Sequence, residues 1–264
     1  MIEALPNIQT IFFVLVFIIL FVIEYFNANR VWKTTRFKRL FFHVIFAVLN
    51  SIMLYIPRLL LLIPILLFTE EKNLGFLNTI DQFYFIEVLL GILLFDFAYY
   101  WWHRFNHTIP FLWRFHSIHH LDTHLDVTTS LRFHFGELIL SLIYDVLLIL
   151  LIGAPLEVYI FYKIILTSSS HFHHSNIKLP DKINDVLMYF IVTPKFHTNH
   201  HTVVDTTRNA NYTSILTVWD RLFFTYRDSN DIDRSYLGLE NRDLELSLFE
   251  NLKRPFIKDQ NELT

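Results

Sequence analysis

Three short stretches decide how this chain is read: HRFNH (residues 103–107), HSIHH (116–120) and HTNHH (197–201). Within each stretch the histidines recur at spacings of three or four residues. On a helix, such positions project from one face. Each stretch therefore predicts a helix that presents two or three imidazoles in a common direction. Of the 14 histidines, all but His43 lie between His103 and His201.

Imidazole is the commonest protein ligand for metals near neutral pH, and it suits Fe, Zn, Cu and Ni. The three stretches and HFHHSN (171–176) offer more nitrogens than one zinc ion takes, so two ions are implied. The chain contains no HExxH and no ExxH, which argues against a zincin protease and a carboxylate di-iron bundle. A nearly all-nitrogen site for two metals, beside apolar segments, indicates iron and O₂ chemistry.

The predicted metal ligands are the histidines at ligand spacing, with His174 as the first choice in the 171–176 segment. They are His103, His107, His116, His119, His120, His174, His197, His200 and His201. A second tier is His171, His173, His134 and Asp96. Asp96 lies two helical turns before His103, where its carboxylate could accept the second ring N–H of a ligand histidine. The isolated His134, His124 and His43 favour structural roles.

Composition excludes several classes of protein. The 264 residues are 53% hydrophobic and 18% charged, with a mean hydropathy of +0.37 and a net charge of −3, which disfavours a water-soluble globule and nucleic-acid binding. The absence of Cys excludes disulfides, Fe–S clusters, thiolate haem and cysteine nucleophiles. The chemistry must therefore come from other side chains.

Three apolar runs predict membrane spans: Ala4–Ile23, Leu40–Phe68 and Phe83–Trp102. The second run, interrupted by Pro57 and Arg58, could also be a hairpin, but one kinked span is preferred. The loop after the first run carries a set of basic residues: Arg30, Lys33, Arg36, Lys38 and Arg39. The positive-inside rule puts this loop in the cytoplasm. The acidic loop 69–82, with Glu70, Glu71 and Asp81, would then lie outside, and the histidines would face the cytoplasm.

A fourth apolar run, Leu138–Ile165, is broken by Gly153-Ala154-Pro155 into two arms of roughly 14 and 11 residues, both shorter than the ~20 that cross a bilayer. The sequence therefore predicts a re-entrant helical hairpin, which keeps the clustered histidines on one side. The expected fold is an all-α integral membrane protein with about three transmembrane helices, this hairpin and a cytosolic histidine-rich helical cap. The expected regions are 1–82, an N-terminal transmembrane region; 83–227, a catalytic domain; and 228–264, a polar tail.

The motifs between about Leu93 and Tyr226 resemble those of the fatty acid hydroxylase superfamily, also called the sterol desaturase family. Besides the histidine stretches, they include Asp96, Tyr100, RFHFGE (132–137), HSNIKLP (174–180), Asn211-Tyr212 and WDRLF (219–223). Where this chain has Phe135, Thr213 and Phe224, the family usually has Pro, Gly and Gly. The resemblance implies a membrane di-iron oxygenase that activates O₂ and oxidises a lipid C–H bond.

The sequence thus predicts a multi-pass protein of the bacterial inner membrane or the ER that hydroxylates a membrane lipid, a fatty acyl chain or a sterol-like substrate. A desaturase or an alkylglycerol-type monooxygenase on the same site remains an alternative. So do a membrane metal transporter and a lipid-binding protein whose metal is structural. No glycine-rich dinucleotide motif and no haem-attachment motif is present, so electrons are expected from a separate reductase, ferredoxin or cytochrome. Zinc can replace iron on overexpression, because the Irving–Williams order gives little protection.

Overall fold

The chain is described by a computed structural model covering residues 5–32, 34–80, 83–228, 234, 236–239 and 247–257. Regular structure in these ranges is helical, and pairing between extended segments is limited there to isolated bridges. The α-helices are α1 Leu5–Phe26, α2 Arg36–Pro57, α3 Ile63–Glu71, α4 Tyr84–Thr108, α5 Pro110–His120, α6 Phe135–Ile152, α7 Leu156–His174, α8 Asp181–Leu187, α9 Pro194–His200, α10 Asp205–Arg208, α11 Val218–Leu222 and α12 Leu248–Lys253. Short 3₁₀ turns cover Phe76–Thr79, Val127–Leu131 and Arg254–Phe256, and a π-helix covers Arg58–Leu62. The expected all-α fold is confirmed.

Four segments of the described chain are long and apolar enough to cross a membrane: α1 from Ile8, the run Arg36–Thr79, α4, and α6. The second run contains one unbroken helix, in which α2, the π-helix and α3 contribute 22, 5 and 9 residues. Arg58 and Leu62 both have helical backbone angles, so the chain does not turn back between α2 and α3. Pro57 and Pro64, which lack an N–H donor, lie beside the π-helical turn. The helix is therefore continuous and does not form a hairpin, while its crossing of the membrane as one kinked span stays a prediction.

The apolar run 138–165 forms two consecutive helices, α6 and α7, of 18 and 19 residues. They are longer than expected because α6 begins before the apolar run and α7 continues through the polar residues up to His174. Gly153 ends α6 with φ +71, and its backbone lies so close to Gly75 that a Cβ on Gly75 would meet the Gly153 nitrogen at 2.3 Å. The helix–turn–helix is thus observed, and its re-entrant insertion stays a prediction.

The basic loop after α1 is tied to the histidine-bearing region. Arg39 donates to both carboxylate oxygens of Asp122 at 2.8 and 2.9 Å and to Asp126 at 2.6 Å. Although burial alone would raise it, the Arg39 guanidinium holds the pKa of Asp122 well below its usual range. Arg30 reaches the Thr198 hydroxyl and the Leu125 carbonyl. Arg30 and Arg39 therefore stabilise the fold and also contribute to the positive charge of this segment. Lys33 and Asp81 lie outside the described residues.

Parts of the expected polar tail pack against the histidine-bearing part of the fold, which we call the cap. Gly238 donates its N–H to the His201 carbonyl, and Asn251 of α12 accepts from Arg132. The Leu252 carbonyl contacts the His134 ring. The described segments 236–239 and 247–257 thus contribute to the surroundings of the histidines. The division into three regions stays a prediction.

Candidate metal centre

Four helix ends bring the clustered histidines together. The last two turns of α4 and α5 carry residues 103, 107, 116, 119 and 120. Helix α7 ends on His174, and α9 with the residue after it carries 197, 200 and 201. Pro110 begins α5, and Pro194 begins α9 next to an N-capping Thr193 whose hydroxyl accepts from the Phe196 N–H. These starts fix where each short helix begins and hence which way its histidines face.

All nine predicted ligands fall into two groups, in each of which the ligand atoms lie within 4.8 Å of one another. The five-histidine group is His103, His107, His116, His120 and His200; the four-histidine group is His119, His174, His197 and His201. The groups adjoin each other, since the rings of His120 and His201 stack at 4.3 Å between centroids. Apart from His103 and His107, which are partly exposed, these histidines are buried.

The hydrogen bonds fix the tautomer of several rings. Nδ1 of His103 lies 2.6 Å from the Tyr212 carbonyl, and Nδ1 of His200 lies 2.7 Å from the Ala210 carbonyl. A carbonyl only accepts, so each Nδ1 must carry a proton, and each neutral ring then presents a bare lone pair at Nε2. The Nε2 atoms of His103 and His200 nevertheless face each other at 3.1 Å. Two lone pairs cannot hydrogen-bond, and a cation between them resolves the contact.

The four-histidine group repeats this arrangement. His119 and His174 point their Nδ1 atoms at the carbonyls of Arg132 and Ser170, at 3.2 and 2.7 Å, while their Nε2 atoms lie 2.9 Å apart. In the five-histidine group, both ring nitrogens of His120 are buried without a hydrogen-bond partner, as is Nε2 of His107. Buried polar atoms without partners are costly. The donor sets therefore fit two bound metal ions.

Burial keeps the cap histidines neutral. Loss of hydration, with a smaller contribution from neighbouring imidazoles, lowers the pKa of each well below the usual value; these residues are His119, His120, His197, His200 and His201. The neutral ring is the form that binds a metal. The site is thus held in its ligating protonation state at neutral pH.

Glu137 lies beside this site, and the histidine spacings did not identify it. It lies in the first turn of α6. Its Oε1 also accepts from Nδ1 of His116 at 2.9 Å, and both side chains are buried. A carboxylate behind a metal-binding histidine orients the ring and raises its basicity. No other residue of the two groups has a carboxylate at its second nitrogen within the described chain.

The second-tier histidines lie outside both groups. His134 caps α6 by accepting from the Gly136 N–H, and its other nitrogen contacts the Leu252 carbonyl, so both nitrogens are engaged. His171 hydrogen-bonds to Ser130 beneath Phe13 and Phe17 of α1. The ring of His173 packs against that of His197, tilted by 45°, with 4.1 Å between centroids. Two histidines expected to be structural, His43 and His124, also lie outside both groups, and His43 contacts Thr128.

Asp96 does not contact a histidine. Its carboxylate accepts from the Trp219 indole at 2.8 Å and from the Leu216 N–H at 3.2 Å. These bonds connect α4 to α11 and to the segment before it. Similarly, Asp220 and Arg221 do not pair with each other. Asp220 accepts from the backbone N–H groups of residues 212 and 213 and thereby holds the Tyr212 carbonyl that receives His103. Helical spacing placed Asp96 on the face of His103 but could not reveal these nearer donors.

Four membrane-length helical segments and two adjoining groups of mostly buried imidazoles define a class: a helical membrane protein with a histidine centre that could hold two metal ions. A model of the fatty acid hydroxylase family matches residues 88–225, slightly more than half of the chain. The chain therefore belongs to the fatty acid hydroxylase family.

Several characterised relatives match the same region. The chain is 28% identical over 170 residues to an ornithine lipid hydroxylase of Rhizobium tropici, covering 64% of this chain and 50% of that protein. It is 27% identical over 180 residues to an alkylglycerol monooxygenase of Danio rerio (64% and 39%), and 28% identical over 146 residues to a cholesterol 25-hydroxylase of Mus musculus (54% and 47%). The chain thus spans half or less of the length of these relatives. No solved structure matches it.

Proposed function

We propose that this protein is an O₂-dependent hydroxylase that uses two iron ions to oxidise a C–H bond of a membrane lipid. The observation that carries the proposal is the set of Nε2 lone pairs in the two groups, which face each other at hydrogen-bond distance with no proton to share. Iron suits an all-imidazole donor set that leaves coordination positions open. The family relatives named above are hydroxylases and monooxygenases, which supports the same reaction class.

The overall reaction balances as follows: a lipid C–H, O₂, two electrons and two protons give a lipid C–OH and water. The bound iron ions would supply the reduction of O₂ and the oxidising equivalent. The chain itself holds the rings in one tautomer through the carbonyls of Tyr212, Ala210, Arg132 and Ser170. It also excludes water by burying seven of the nine histidines. Such fixed geometry lowers the reorganisation that accompanies the reaction.

The two electrons must come from outside the chain, because no flavin, nicotinamide or haem motif is present in the sequence. A separate reductase, ferredoxin or cytochrome fits this need. We further propose that the cap faces the cytoplasm, where such donors carry reducing equivalents. The excess of Lys and Arg between α1 and the first residues of α2 supports this orientation.

Lipid extraction tests the reaction. Cells that express the protein with iron are compared with cells that express His200→Ala, and the lipids of both are analysed by mass spectrometry. A hydroxylase produces lipids that gain one oxygen in the wild-type cells and not in the variant. Desaturation, the alternative on this site, would instead remove two hydrogens. A metal transporter or a lipid-binding scaffold predicts no change in lipid mass.

A further inference from the structure

The cap carries an exposed apolar surface that the proposed reaction does not use. On α8 and the turn after it, Ile183, Val186 and Phe190 follow the spacing of one helical face and are 52%, 61% and 66% exposed. The opposite side of the same segment, with Asn184 and Met188, is buried in the cap. The segment is therefore amphipathic, with its apolar face turned outward.

The segment around α11 extends this surface. The Thr217 N–H donates to the Phe190 carbonyl, and the Arg221 guanidinium lies 4.8 Å from the centre of the Tyr189 ring. These contacts place α11 beside Phe190, and α11 adds the exposed Leu222 and, just after it, Phe224. We name the combined surface the interfacial patch: Ile183, Val186, Phe190, Leu222 and Phe224.

Phe224 shows that a bulky side chain is kept here against local strain. Its φ is +59, in the left-handed region where a residue with a Cβ is disfavoured and glycine is not. The ring is also 83% exposed, so contacts within the protein bury little of it and do little to compensate the strain. A lipid environment would offset this strain, because transfer of a Phe side chain from water to an apolar environment is favourable.

The patch continues the outer surface of a membrane-length helix. Trp101 of α4 packs on Phe223 with 5.1 Å between ring centroids, and Phe97 of α4 packs on Trp219 at the same distance. Aromatic side chains of this kind gather where a transmembrane helix leaves the hydrocarbon. The interfacial patch lies beside this part of α4, so we expect it to contact the bilayer rather than a soluble partner.

We propose that the interfacial patch inserts into the headgroup and upper acyl region of the bilayer beside the histidine-bearing end of α4. The cap would then lie against the membrane, and α8 would be an in-plane anchor rather than a solvent-facing helix. An amphipathic helix in this position sits about 5–10 Å into the boundary between headgroups and acyl chains. The inference depends on the membrane character of α4 and on no step of the oxidation, so the two proposals can fail separately.

Site-directed fluorescence tests the insertion, and the absence of native Cys makes the labelling specific. Single-cysteine proteins Val186→Cys and Phe190→Cys are labelled with bimane and reconstituted into phosphatidylcholine vesicles. Asp185→Cys is the matched control, because Asp185 is exposed on the same helix but borders a polar cavity of about 430 Å³ with Lys195 and Arg30. Quenching is measured with aqueous iodide and with lipids that carry a nitroxide in the upper acyl chain.

Insertion predicts that lipid nitroxides quench the labels at 186 and 190, and that iodide quenches them several-fold less than the label at 185. Equal iodide quenching at all three positions, with no effect of the lipid nitroxide, would show that the patch faces water. Shielding from iodide without nitroxide quenching would show that protein covers the patch, from a second copy or a partner. Either of these results overturns the proposal.

Discussion

Replacing Glu137 by Gln should weaken the binding of one metal ion and leave the binding of the other unchanged. The substitution keeps the size of the side chain and an oxygen that can accept from Nδ1 of His116, now 2.9 Å from Oε1, but removes the negative charge. Loss of such a partner usually costs about 10–100-fold in metal affinity, which is about 1.4–2.7 kcal/mol. Because His116 belongs to the five-histidine group, we expect the loss in that group alone.

Chelator competition on detergent-purified protein measures this loss, with metal release followed in two phases. Asp145→Asn is the matched control: Asp145 is a buried carboxylate of the same helix, but it accepts from Tyr99 and Tyr159 and contacts none of the nine histidines. The control should lower thermal stability and leave both metal affinities unchanged. If Glu137→Gln retains wild-type affinity in both phases, or lowers both phases equally, the assigned role of Glu137 is refuted.

Three further outcomes follow from the contacts. Asp96→Ala leaves the Trp219 indole and the Leu216 N–H without their acceptor. The free energy of unfolding measured in a denaturant titration should therefore fall by about 1–3 kcal/mol, with metal affinity unchanged. A loss of metal with no loss of stability would contradict this. The melting temperature of the metal-free protein should fall as the pH drops below about 6.5. The unfolded chain then binds protons at histidines that stay neutral in the folded protein, namely His119, His120, His197, His200 and His201. A melting temperature that does not change between pH 7.5 and 5.5 would contradict the burial of these histidines as neutral rings. Glu71→Cys should react with a membrane-impermeant maleimide only from the non-cytoplasmic side of the membrane, and labelling only from the cytoplasmic side would reverse the topology.

The sequence reached the helices and the nine histidines that the two groups contain, because both depend on local spacing. It did not divide those nine between the groups: His119 lies in a different group from His116 and His120 of the same helix. Apolar runs set the long helices, and i, i+3 and i+4 spacing placed up to three imidazoles on each helix end. A spacing argument works within one helix, where geometry is fixed by the backbone.

The partners of those histidines could not be found in this way. Four of them are backbone carbonyls, such as those of Tyr212 and Ala210, which every residue type offers. Glu137 meets His116 across 21 residues, and Arg39 meets Asp122 across 83, so both contacts depend on how the helices pack. The expected contact between Asp96 and a ligand histidine is not observed for the same reason. Asp96 shares a helix face with His103, but tertiary packing brings the Trp219 indole closer.

Isotopic labelling of the oxygen donor tests the central claim most directly. Iron-loaded protein in membranes, with a supplied reductant and a lipid extract, is exposed to ¹⁸O₂ in unlabelled water, and the lipids are analysed by mass spectrometry. A di-iron hydroxylase predicts a product lipid that carries one ¹⁸O atom and is absent with His120→Ala. Product lipid that takes its oxygen from water, or full ¹⁸O incorporation by the His120→Ala protein, would contradict the account.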